Sequence, residues 1–122
     1  RDWGFSGEYV KMMHIMLQQE EPDDFVIGTG HTHTVREFLN IVFTELELDY
    51  EDYLVIDPRF YRPAEVEILV ANPAKARKIL GWDPKVTFEE LAISMVKADY
   101  DNLKKVIKKE NINFIFLILT KT

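Results

Sequence analysis

Apolar residues recur along the chain in helix-spaced stretches separated by short apolar runs. From Gly7 to about Gln19, Tyr9, Val10, Met13, Met16 and Leu17 fall on one face of a helix, and Met12 and Ile15 widen it. So broad a stripe predicts a helix buried on more than one side, ended by Pro22 and Asp23. The run FVIG at 25–28 is almost wholly apolar, the pattern of a strand covered on both faces.

A second helix is expected from Thr34 to about Leu46. T-V-R-E places Thr34 and Glu37 as a capping box, in which each side chain satisfies the other residue's free backbone N–H. Phe38, Leu39, Val42, Phe43 and Leu46 form its apolar face. YLVID (53–57) and VEILV (66–70) read as strands on either side of a PRFYRP loop. Asn72 caps a short helix with Pro73 at its first position, and Gly81 closes it. A second capping box, Thr87 and Glu90, opens a long helix through Leu91, Met95, Val96 and Leu103. The whole predicts an irregular, mixed α/β lobe, because an independent parallel sheet needs longer and more regular β–α alternation. Its first helix and FVIG strand are expected to lean on a neighbouring domain.

Composition narrows the function. A formal charge of −6 argues against nucleic acid as a partner, since neutralising phosphates needs a basic face. The absence of cysteine rules out disulfides and thiolate metal sites and is compatible with a cytoplasmic location. The first residues, RDWGFSGEYV, lack the pattern of a signal peptide and do not begin with methionine, so the chain is expected to start inside a larger protein or to have been trimmed. NFIFLIL at 113–119 is too short to span a bilayer and reads as a strand or a sticky tail, so no membrane partner is expected.

Candidate chemistry is sparse. In FVIGTGHTHTVREF a G-x-G lies between a strand and a helix, but His33 stands where a dinucleotide loop needs its third glycine. A tight turn is the better reading. Tyr100 and Lys104 have the Y-x-x-x-K spacing of a catalytic tyrosine, yet they sit on a polar stretch without a serine or threonine partner, so a solvated helix face is expected. His31 and His33 lack a third ligand for zinc, and His14 on its apolar helix reads as a packed or partly exposed side chain. In FYRPAEVEIL (60–69), Arg62 and Glu65 flank Pro63. Such a pair is either a solvated loop or a grip on a ligand with an anionic part and a hydroxyl-bearing part.

RDWG, DFVIGTG, HTVREF, DPRFYRPAEVEIL, NPAKARKILGW and FEELAISMVKAD, in this order and spacing, resemble the C-terminal part of the GDP-mannose 4,6-dehydratases. These belong to the extended short-chain dehydrogenase/reductases that act on nucleotide sugars. The resemblance covers residues 1–101, and the tail, 102–122, does not follow it. It implies a small α/β C-terminal lobe that holds the nucleotide-sugar substrate, GDP-mannose. The Rossmann core, which binds NADP and carries the catalytic Ser/Thr, Tyr-x-x-x-Lys and Glu set, lies upstream of RDWG. In the family the mannose is oxidised at C4, loses water across C5 and C6, and regains the hydride at C6.

The resemblance also implies that Arg62 contacts the diphosphate, that Glu65 accepts hydrogen bonds from the ribose hydroxyls, and that Arg1 lies on the nucleotide side of the site. A guanidinium offers a planar fork to phosphate oxygens, a carboxylate accepts from two vicinal hydroxyls, and the fixed φ of Pro63 lowers the entropy lost on closure. This chain alone is expected to be inactive, to bind no NADP, and to form homo-oligomers in the parent protein. The alternatives are the equivalent lobe of another nucleotide-sugar epimerase or dehydratase, or a non-enzymatic interaction domain derived from one.

Overall fold

The computed structural model of the chain describes residues 1–60, 64, 66 and 68–119, with 109–119 as backbone only. Among the described residues four α-helices are present: α1 (Ser6–Met16), α2 (Val35–Glu45), α3 (Ala74–Leu80) and α4 (Phe88–Leu119). Single 3-10 turns stand at Tyr50–Asp52 and Pro58–Phe60. Helix α1 packs on α3, and α2 packs on α4.

The helix starts follow the sequence closely. Thr34 and Glu37 make the expected capping box at α2, with Glu37 N donating to Thr34 Oγ1 at 3.1 Å and Thr34 N to Glu37 Oε2 at 2.5 Å. Thr87 and Glu90 make the same exchange at α4, at 3.2 and 2.9 Å. At α3, Asn72 Oδ1 accepts from Ala74 N at 3.2 Å, so Asn72 serves the helix although the first helical residue is Ala74 rather than Pro73. Gly81 ends α3 in the left-handed region at φ 68°, and Trp82 N then turns back onto Ala76 O.

Trp82 reaches the main core with Met12, Ala76 and Leu80, and Tyr9, Ile15, Met16, Phe25 and Ile27 pack around them. The Tyr9 ring stacks on the Trp82 indole at 5.5 Å between centroids, and the indole N–H donates to Gly28 O at 2.6 Å. Glu8 Oε1 accepts from Lys85 N at 2.7 Å, tying the start of α1 to the turn before α4. A second buried seam lies under α2, where Ala92 and Val96 of α4 are covered and Lys97 pairs with Glu45 at 2.8 Å.

Three expectations are corrected here. Among the described residues no strand is present: 25–28, 53–57 and the described part of 66–70 have no regular structure. A strand needs a neighbour for its backbone groups, and no backbone hydrogen bond joins 25–28 to another described segment. Instead, Phe25 and Ile27 pack inward while Val26 stands 56% exposed, so one face is covered rather than two. Helix α1 is likewise buried on one side only, with Val10, Met13 and Leu17 facing solvent. Finally, the run 113–119 is no strand but the last part of α4. The chain contains neither glycine nor proline after Pro84, and a helix once nucleated by a capping box propagates until something stops it.

Gly28 sits where two segments meet. A Cβ at this residue would stand 2.3 Å from Ala71 Cβ and 3.1 Å from Asp2 Oδ2. Gly28→Ala is therefore expected to cost about 1–3 kcal/mol, the usual penalty for overpacking, read as a lower urea midpoint. A variant as stable as the parent chain would show that the two segments separate freely.

Candidate functional site

The residues of RDWG are pinned one after another. The Arg1 amino nitrogen donates to His33 O at 2.6 Å, and His33 N returns a bond to Arg1 O at 2.9 Å. The Arg1 guanidinium donates through Nη1 to Val66 O at 3.2 Å. Asp2 accepts four hydrogen bonds from two distant segments. Its Oδ1 takes Thr29 N at 2.9 Å and Thr29 Oγ1 at 2.7 Å. Its Oδ2 takes Gly30 N at 2.9 Å and Ala71 N at 3.2 Å. Gly30 turns the loop at φ 83°, a backbone conformation open to glycine at little cost.

Burial acts to raise the Asp2 pKa, but the bonds from Thr29, Gly30 and Ala71 outweigh it and hold the carboxyl below its ordinary 3.8. Nearby, burial first, and then the charges of Asp2 and Glu8, push the Tyr9 phenol above its usual range.

Trp3 enters an aromatic group. Its ring stacks on Phe88 at 5.5 Å and 9° and tilts against Phe38 at 6.0 Å. His33 stacks on Phe88 at 3.9 Å, which fixes the approach to α2. Beside this group a cleft of about 490 Å³ opens, lined among others by Thr29, His31, His33, Arg77, Lys85 and Thr87. Two of its cations are already engaged, Arg77 Nη2 with Thr29 O at 2.9 Å and Lys85 with Asp83. Among the described residues no group of three or more His, Asp or Glu side chains could hold a metal ion. Lys104 Nζ lies over the Tyr100 ring at 4.1 Å rather than beside its hydroxyl, and both residues are exposed. No helix of the described residues is long and apolar enough to cross a membrane.

The family model for GDP-mannose 4,6-dehydratase matches residues 1–95. The chain belongs to the GDP-mannose 4,6-dehydratase family. GDP-mannose 4,6 dehydratase 2 of Arabidopsis thaliana is 50% identical over 105 residues, which take in 86% of this chain and 28% of the relative. The Caenorhabditis elegans protein of the same name is 49% identical over 115 residues, 81% of this chain and 30% of the relative. GDP-mannose 4,6-dehydratase of Vibrio cholerae serotype O1 is 37% identical over 142 residues, 93% of this chain and 38% of the relative. The chain thus spans roughly a third of the length of these relatives and matches their C-terminal part.

Of the three site residues expected from this family's pattern, Arg62 and Glu65 lie outside the described residues. Arg1 is described, and its bond to Val66 O brings RDWG to the segment that follows the Arg62–Glu65 pair. Asp2 was not singled out from the sequence. A signal for it existed: the amides of a G-T-G turn need an acceptor, and a carboxylate is the strongest one available. As for NADP, this turn does not form a phosphate cradle. The Thr29 and Gly30 amides already point at Asp2, and the space above Gly28 is filled by Ala71 and Asp2.

Asp2 also gives the fold an acid limit. Its folded pKa lies below 3.8, so the contribution of its four bonds is complete above that value and is lost as pH falls through the lower, folded one. Thermal melts of the chain should show this loss at the acid end of the range, and Asp2→Asn should flatten the acid limb relative to the parent chain. An unchanged limb in the variant would mean that other carboxylates set it.

Proposed function

We propose that this chain is the substrate-binding portion of a GDP-mannose 4,6-dehydratase, holding the nucleotide part of GDP-mannose for a catalytic domain that lies N-terminal to it in the whole enzyme. The observation that carries the reading is the family match over residues 1–95, which contains both RDWG and YRPAEV. Arg62 takes the diphosphate, Glu65 the ribose hydroxyls, and Arg1 approaches from the nucleotide side. The Arg1–Val66 bond supports this grouping, since it sets a guanidinium beside the chain that leaves Glu65.

On this reading residues 1–101 are the nucleotide-sugar-binding part and 102–122 a C-terminal tail, although α4 runs through residue 101 without a break. The whole enzyme uses NADP, held by the N-terminal Rossmann domain, and this chain alone performs no turnover. Segments 25–28 and 66–70, in whose described residues no strand pairing is present, become strands of an α/β lobe once that domain's sheet lies against them. Its surface also covers Val10, Met13, Leu17 and Val26, which are apolar and more than half exposed. The assembled enzyme is a cytoplasmic homo-oligomer.

Calorimetric titration with GDP-mannose, beside Arg62→Ala, Glu65→Ala and a UDP-glucose control, tests the reading. GDP-mannose should bind and UDP-glucose should not, with Arg62→Ala costing on the order of 2–5 kcal/mol if the arginine is a buried charge partner. Equal binding of both nucleotide sugars would favour the equivalent lobe of another nucleotide-sugar epimerase or dehydratase. Binding untouched by either substitution would remove Arg62 and Glu65 from the site.

A further inference from the structure

We infer that Asp2 is a positioning residue for nucleotide binding, acting through Arg1 by fixing both ends of the contact that holds the Arg1 guanidinium. The inference rests on the proposed role of Arg1 at the nucleotide. The contact runs from Arg1 Nη1 to Val66 O. On the arginine side, the next residue along the chain is Asp2 itself, clamped by Thr29 and Gly30. On the carbonyl side, the chain from Val66 reaches Ala71 a few residues on, and Ala71 N donates to the same Asp2 carboxylate at 3.2 Å. One carboxylate therefore anchors both the backbone beside Arg1 and the backbone at Ala71, a few residues beyond the Val66 carbonyl that accepts from the Arg1 guanidinium.

The surroundings of Arg1 and Asp2 hold this anchor in place. Arg1 exchanges two backbone bonds with His33, and Trp3 is stacked on Phe88. Gly28 is packed against Ala71 Cβ and Asp2 Oδ2, so neither segment can slide toward the other. An exposed arginine has rotamers to lose when it meets an anion. Holding its backbone and its hydrogen-bond acceptor in one frame removes much of that loss beforehand. Asparagine cannot replace the aspartate. Oδ1 could still serve Thr29, but an NH₂ would face the Gly30 and Ala71 amides, donor against donor.

The test is a double-mutant cycle on the whole chain, read by titration with GDP and with guanosine, which lacks the phosphates. The variants are Asp2→Asn, Arg1→Ala and the pair, with Thr29→Val as a milder change that removes the hydroxyl, which donates to Asp2 and accepts from His31 N, and leaves the Thr29 amide bond in place. Asp2→Asn should weaken GDP binding on the order of tenfold, and Thr29→Val by less. Both should lose their effect when Arg1 is already alanine, and both should leave guanosine affinity unchanged. If Asp2→Asn does not fold, the Thr29→Val arm of the cycle decides. A loss of equal size with and without Arg1, or an equal loss for guanosine, would show that Asp2 serves the fold alone and would overturn the inference. A parent chain that binds no GDP would instead overturn the nucleotide reading, and this inference with it.

Discussion

The Asp2 carboxylate is the constraint on which the N-terminal half of this lobe depends. It accepts from Thr29, Gly30 and Ala71, positions that are 27, 28 and 69 residues away along the chain. No helix or strand pairing brings these segments together among the described residues. Without the carboxylate the part-buried Thr29 and Gly30 amides would lose their acceptor, and leaving such a donor unpaired costs more than the made bond contributes. Gly28 and Gly30 follow from the same demand, one by allowing close approach and the other by turning the chain.

A parallel with nucleotide loops explains why this turn looks like one in the sequence. In such loops successive backbone amides converge on a phosphate. Here successive amides converge on a carboxylate supplied by the protein itself. The glycines, the turn and the following helix are shared between the two arrangements, and only the anion differs. The distinguishing feature lies outside the motif, in an aspartate near the other end of α1.

How much could be read in advance depended on the range of the interactions involved. The capping boxes at Thr34–Glu37 and Thr87–Glu90, and the glycine stop of α3, are local, and each appears in the structure where the sequence placed it. The apolar runs at 25–28 and 66–70 were legible as runs but not as strands, because pairing is a property of the neighbour as much as of the segment. The run 113–119 misled through its β-prone composition, while the absence of any glycine or proline beyond Pro84 carried the opposite message. The Arg1–Val66 contact was legible only as far as the family's motifs group RDWG with YRPAEV. The Asp2 hub was legible only as the need of the G-T-G turn for an acceptor; which residue supplies it was not, since its partners are set by tertiary approach.

Helix α4 has a mechanical consequence. Its 32 residues make a rod about 48 Å long, several times the radius of gyration of about 14 Å expected for a compact chain of this size. Among the described side chains, its buried positions Ala92 and Val96 and its ion pair from Lys97 lie in the first turns, while Leu103, Val106 and Ile107 are about half exposed. The rod is thus a lever with a short anchored arm and a long outer one. A small displacement at Phe88, where the ring meets Trp3 and His33, becomes a large sweep at the far end, and a load on the far end returns to those rings as torque.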